Sequence, residues 1–282
     1  MKNARFIIGF ALKAAARLGA LFICASATAS DLHPIVEVQS GYLFGAASDG
    51  KWLKAEESAR SVKADTTYQI YSLTAKLGEA TGSAPKSVDE PCPDTMEVTL
   101  SEKPEDGVFA LAAPWNALPR KPRMADTTQQ VYVDAVRDFL KTKGIEQPKV
   151  KIDNILRVDL DGDGEDEVLI SATNYFRKDD RVPMRSPAGS YSMVLLRRVG
   201  AGKVATQLIA GEFHPKAYPK AAQEEGRFDA PNAYKVIAIL DLDGDGKMEV
   251  VVGWNYYEGE EITIYRCDPK KSEALLSVSC GA

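Results

Sequence analysis

The stretch Asp159-Leu160-Asp161-Gly162-Asp163-Gly164-Glu165-Asp166-Glu167 decides how the rest of the chain is read, because it returns 82 residues later as Asp241-Leu242-Asp243-Gly244-Asp245-Gly246-Lys247-Met248-Glu249. In both copies acids hold loop positions 1, 3, 5 and 9, glycine holds position 6, and apolar sequence stands on either side. Calcium chemistry accounts for that spacing. The ion takes about six to eight oxygens in flexible geometry, and alternate residues of a tightly curled loop can turn short carboxylates to one point. The chain must bend sharply at Gly164 and Gly246, where a residue without a Cβ tolerates positive φ. The expected ligands are the carboxylates of Asp159, Asp161, Asp163 and Glu167 with the backbone carbonyl of Glu165. In the second copy they are those of Asp241, Asp243, Asp245 and Glu249 with the carbonyl of Lys247. Acids converging on one loop repel unless their pKa values rise or a cation neutralises them. An all-oxygen set without Cys or His argues against zinc and copper. Magnesium demands stricter octahedral geometry. Asp and Gly also favour plain turns, but two copies with the fourth acid in register favour two Ca2+ sites.

Strand-like segments surround both loops. Ile152–Val158, Glu167–Thr173, Ser192–Arg198 and Thr206–Ile209 form one series of four, and Tyr234–Leu240, Glu249–Trp254, Glu261–Arg266 and Ala274–Val278 form a second. Residues 149–282 therefore read as an internal repeat. Val236-Ile237-Ala238-Ile239-Leu240 is apolar throughout, as suits a strand buried on both faces. The loops are not EF-hands. Position 12, where that motif needs a bidentate Glu, is Ile170 in one copy and Val252 in the other, and the flanks are β-type rather than helical.

The strand–acidic loop–strand unit, followed by Asn174-Tyr175-Phe176 and by Asn255-Tyr256-Tyr257, resembles the FG-GAP/VCBS repeats of integrin α-chain-like β-propellers and of many secreted bacterial proteins. The resemblance covers the C-terminal half. It implies four-stranded blades with calcium in the loop joining the first two strands, and ligands at Asp159, Asp161, Asp163, Glu167, Asp241, Asp243, Asp245 and Glu249. The last position is Glu here, where the family usually has Asp. A closed propeller needs about four or more blades, so two units imply a partial propeller or a sandwich closed by the N-terminal region.

The remaining chain divides simply. Residues 30–118 carry strand-like pieces at Ile35–Leu43, Thr67–Leu73, Met96–Leu100 and Val108–Ala112, with a Pro/Gly/Ser-rich loop at Thr81–Pro93. Residues 119–148 hold a linker, centred on the proline-rich Pro114–Asp126, and one helix near 127–143. Asp126 or Thr127 can cap that helix, Val131, Ala135, Phe139 and Leu140 recur at helical spacing, and Gly144 stops it. The expected fold is mainly β: two four-stranded propeller-like blades with calcium loops, this helix, and a β-rich N-terminal region.

Residues 1–29 read as a cleavable signal peptide: basic Lys2, Arg5, Lys13 and Arg17, the apolar run Leu18–Cys24, then small residues ending in Ala27-Thr28-Ala29. Export to the periplasm or the exterior follows, with no membrane insertion after cleavage. Losing those four positive charges takes the formal charge from −5 to −9. An acidic mature chain argues against nucleic acid and anionic lipid and suits cations. Among Cys92, Cys267 and Cys280, a Cys267–Cys280 bridge has the lowest loop-closure cost. A long-range bridge from Cys92, or three reduced thiols, stays open.

Little points to catalysis. The two histidines are His33 and His214, and neither a G-x-S-x-G elbow nor an H-E-x-x-H pair occurs. Glu258, Glu260 and Glu261 beside Tyr256 and Tyr257 read as a solvated hairpin tip. Tyr175, Phe176, Tyr256 and Tyr257 recur after the loops as packing residues, with glycan recognition the alternative. The expected role is a calcium-binding β-repeat module for a protein or glycan partner. An extracytoplasmic hydrolase or carbohydrate-binding protein with structural calcium is the alternative.

Overall fold

Alternating apolar residues build a mainly β molecule of several antiparallel sheets, none of them closed among the described residues. The computed structural model describes residues 31–175, 182–200, 202–217, 219 and 230–281. The expected signal peptide and Phe176 lie outside them.

The N-terminal strands are β1 (His33–Glu37), β2 (Leu43–Ser48), β3 (Lys51–Lys54), β4 (Thr66–Tyr71), β5 (Lys76–Gly82), β6 (Lys86–Ser87), β7 (Met96–Glu97) and β8 (Phe109–Leu111). Six of them form one sheet in the order β3-β2-β1-β8-β4-β5, and β6 pairs with β7. The expected strand Ile35–Leu43 is two strands. The Glu37 carboxylate accepts the Gln39 and Ser40 N–H groups and the Ser40 hydroxyl, and Gly41 takes φ +82°, so the chain turns back on itself. Strand β5 runs into the start of the Thr81–Pro93 segment expected as loop.

After β9 (Arg123–Met124), helix α1 (Gln130–Thr142) leads into β10 (Ile152–Val158), β11 (Glu167–Thr173), β12 (Ser190–Gly200) and β13 (Lys203–His214). These strands form a sheet in the order β13-β12-β11-β10-β9. Strands β14 (Ala233–Leu240), β15 (Glu249–Asn255), β16 (Gly259–Cys267) and β17 (Ser272–Gly281) follow as an uninterrupted meander. Both series of four strands are thus present.

The two-residue period sorts side chains onto the two faces of the β9–β13 sheet. Leu156, Val158, Leu169, Val194 and Leu196 join a core shared with Ile35 and Phe109 of the N-terminal sheet and with Val236, Ile239, Val251 and Ile264 of the last sheet. Ile155, Ile170, Ala172, Met193 and Leu195 face the other way, onto Tyr132, Val136 and Leu140 of α1. The helical stripe is therefore shifted from the expected one: Val131 is 57 % exposed, and Ala135 and Phe139 are only partly covered. Tyr132 carries that face, burying its ring while the Arg197 guanidinium lies over it, 5.7 Å from the ring centre. Nor does a side chain cap α1. Its N-cap is Gln129, and Asp126 instead accepts the Thr128 N–H and hydroxyl in the preceding turn.

Strand β14 is the edge of its sheet, yet its backbone is not left bare. The Tyr234 N–H donates to Ser192 Oγ and the Val236 N–H to Ser171 Oγ, both hydroxyls coming from the neighbouring sheet. That satisfies edge donors without prolonging the ladder.

The disulfide joins Cys92 to Cys280, and Cys267 is reduced. Loop-closure cost favours the short Cys267–Cys280 pairing, but the β16–β17 register forbids it. Cys267 lies opposite Ser272 and Cys280 opposite Glu260, which puts the two cysteines at opposite ends of one hairpin. Cys280 meets the 89–95 loop instead, with the two Cα atoms 5.7 Å apart.

Candidate metal centre

Each acidic loop joins the first two strands of its series: β10 to β11, and β14 to β15. The flanks are strands, so Ile170 and Val252 sit buried in sheets. The leucine at loop position 2 explains why the acids converge. Leu160 and Leu242 are 2 % and 0 % exposed and belong to the shared core. Anchoring position 2 inward leaves the carboxylates on either side of it to the loop's own concavity.

Within each loop the same hydrogen bonds recur. Asp159 accepts the Gly162 and Gly164 N–H groups at 2.7 and 3.1 Å, and Glu167 accepts the Leu160 N–H at 2.8 Å. Asp241 accepts those of Gly244 and Gly246 at 2.8 and 3.2 Å, and Glu249 that of Leu242 at 2.9 Å. Positive φ is needed at position 4 as well as at the expected position 6: +81° and +92° at Gly162 and Gly164, +77° and +85° at Gly244 and Gly246.

The structure brings together Asp159, Asp161 and Glu167, and likewise Asp241, Asp243 and Glu249, each set offering carboxylate oxygens within 4.8 Å of one another. Asp163 and Asp245 lie outside these triads. They are exposed, and each accepts the backbone N–H two residues on, from Glu165 and Lys247. The Glu165 and Lys247 side chains are also exposed. Oxygens alone make up both sets, and Asp161 Oδ1 is buried without a hydrogen-bond partner. A hard cation fits such a donor set.

Burial separates the two centres. Asp241 and Glu249 are 5 % and 1 % exposed. Burial, followed by repulsion from Asp243, pushes the Glu249 carboxyl up to about 9. Burial also lifts Asp241 to about 6, against the pull of its two glycine N–H groups. Asp243 is raised by burial and by Asp245. In the first loop burial raises Glu167, opposed by the Leu160 N–H and by Arg198.

Sequence reading missed four residues here. Arg198 Nε lies 3.3 Å from Glu167, and Arg266 Nη2 lies 3.1 Å from Asp243. They occupy equivalent places. Arg197 pairs with Val168 and Tyr265 with Val250, so each arginine stands one step further along the third strand, level with the last acid of its loop. A basic residue near the end of both third strands was the available signal. The other two, Trp115 and Arg120, come from the Pro114–Asp126 segment expected as a linker. That segment is packed rather than free. Ala117 is 0 % exposed, its N–H donates to the Tyr71 hydroxyl, and its carbonyl accepts the Asp241 N–H. Trp115 Nε1 donates to the Asp241 carbonyl, and Arg120 donates to the carbonyls of Asp159, Leu160 and Gly246.

The remaining candidates lie on other segments of the chain. Ser186 Oγ and Glu212 Oε1 both approach the same ring nitrogen of His214, at 3.1 and 2.5 Å. Tyr175, 3 % exposed, packs with Val182 and Ala233, the last from β14. Tyr256 and Tyr257 are half-buried, their ring centres 5.8 Å apart. Glu258 lies in the turn before β16, with Glu260 and Glu261 on that strand.

Searches of protein-family models, of curated proteins and of solved structures find no match to this chain. None of the helices among the described residues is long and apolar enough to cross a membrane.

Proposed function

We propose that the chain is an exported calcium-binding β-repeat protein, acting as a binding or structural module toward a protein or glycan partner in the periplasm or outside the cell. On this reading the two four-stranded series are FG-GAP/VCBS-like blades and each acidic loop holds one Ca2+. The observation that carries it is the pair of matching carboxylate triads, each folded within 4.8 Å on equivalent strand-to-strand loops. So much buried negative charge disfavours the ion-free fold, and a divalent cation is the neutraliser that an all-oxygen set selects. Asp159, Asp161 and Glu167 would hold one ion and Asp241, Asp243 and Glu249 the other. The carbonyls of Glu165 and Lys247 remain available to complete the shells. The ion supplies charge neutralisation and cross-links each loop. At about 100 times Kd one ion stabilises the fold by about 2.7 kcal/mol.

Calcium titration of the chelator-treated protein by calorimetry tests this. Two ions per chain are expected, with a higher melting temperature in calcium than in chelator. An Asp161→Ala/Asp243→Ala double variant should lose both effects. Absence of uptake at millimolar calcium refutes the reading.

A further inference from the structure

We propose that Arg120 is a positioning residue that couples the two loops, so that filling either one with calcium favours filling the other; this rests on the calcium reading above. The two loops lie 82 residues apart in sequence yet touch directly. The Met248 N–H of the second loop donates to the Leu160 carbonyl of the first at 2.8 Å. Arg120 straddles the same seam. Its Nη2 donates to Leu160 O at 3.0 Å and to Gly246 O at 2.7 Å, and its Nε donates to Asp159 O. Its guanidinium also covers Gly162, where an added Cβ would sit 3.5 Å from Nη1.

The carbonyls it holds are placed to transmit a change. Leu160 O belongs to the peptide that leads into Asp161, and Gly246 O to the peptide that leads into Lys247. Both following residues are proposed ligands. A planar fork bonded to three carbonyls resists independent rotation of those peptides. Ordering one loop around an ion therefore fixes backbone that the other loop must also fix, and the ordering entropy is spent once rather than twice. Trp115 adds a second strut on the second loop. Its indole donates to Asp241 O and lies 3.1 Å from where a Cβ on Gly244 would be. Repulsion between the two ions opposes this coupling, so the measured factor is the net of the two effects.

Coupling of this kind is reciprocal and typically changes affinity about 5- to 150-fold. The test disables one loop at a time with near-isosteric changes, Asp243→Asn or Asp161→Asn, and measures calcium affinity of the remaining loop by calorimetry. Each single variant should bind its remaining ion at least about fivefold more weakly than the same loop binds in the unaltered protein. With Arg120→Ala added, that penalty should fall to within about twofold. Arg120→Lys, which keeps the charge but cannot fork across three carbonyls, should behave as Arg120→Ala does, and it serves where the alanine variant fails to fold. An independent readout is the Met248 amide resonance in the Asp243→Asn protein, which should move as calcium fills the first loop. Unchanged affinity of the remaining loop overturns the coupling, as does a penalty that persists without Arg120, while leaving two-site calcium binding intact. Absence of calcium uptake by the unaltered protein overturns the calcium reading itself.

Discussion

Replacing Glu249 by glutamine separates the charge of the second centre from its shape. Without an ion, burial and repulsion by Asp243 carry Glu249 from an ordinary 4.5 to about 9. The folded protein thus keeps a proton that the unfolded chain releases near pH 4.5. Between those two values the native state binds more protons than the unfolded state, so unfolding free energy falls as pH rises. The stability is fully present below about pH 4.5 and is lost as pH climbs toward about 9. At pH 8 the gap above the unfolded value is about 3.5 units at about 1.4 kcal/mol each, an upper bound of about 5 kcal/mol before the loop relaxes. Glutamine carries no charge and retains an oxygen for the Leu242 N–H, so it escapes this penalty. In chelator at pH 8, Glu249→Gln should therefore stabilise the protein by about 2–5 kcal/mol, on the order of 5–15 °C in melting temperature for a chain of this size. At pH 4.5 the two proteins should melt within about 0.5 kcal/mol of each other. Calcium at about 100 times Kd should narrow that gap at pH 8 by about 2.7 kcal/mol, because only the wild type gains an ion at that loop. Thermal unfolding followed by circular dichroism at both pH values, in chelator and in calcium, reads all four conditions. A variant less stable than wild type in chelator at pH 8, or a difference independent of pH, refutes the argument that buried charge strains this loop.

Two further outcomes test the scaffold. Cys92→Ser opens a cross-link that spans 188 residues and should cost about 3–5 kcal/mol in denaturant unfolding; reductant should lower the wild type to the same midpoint and leave the variant unmoved. Leu140→Ala, at a fully buried contact between α1 and the β9–β13 sheet, should cost about 2–5 kcal/mol, whereas Val131→Ala, at a 57 % exposed site on the same helix, should change stability by less than about 0.5 kcal/mol.

The N-terminal region shows where local patterning stops. Glu37 and Ser40 look like ordinary strand residues in an apolar run. Together they form a side-chain turn that splits one expected strand into β1 and β2. Strand β5 carries Gly78 and Gly82 and a charged outer face, so its alternation is too weak to read without β4 beside it. The helix and its Leu140 contact are legible in the sequence, but Tyr132 and Val136 take the buried places that Val131 and Ala135 suggest, because Tyr132 counts as apolar only once its ring has a sheet to lie on.

What the sequence by itself determined is local: the eight strands of the two series, the Asp-Gly loops between them, and the acids at loop positions 1, 3, 5 and 9 from which each cluster is drawn. Strand alternation and glycine-dependent turns act over a few residues, so they are written where they act. Only the tertiary structure decided which acids meet. It turned Asp163 and Asp245 outward to cap their own backbones, and it set Arg198 and Arg266 beside the clusters. It also laid Arg120 across two loops that lie far apart in the chain, set Trp115 against the second of them, and paired Cys280 with Cys92 rather than with the nearer Cys267. Those choices depend on strand register and on a core shared by three sheets, and neither is encoded within any short window of residues.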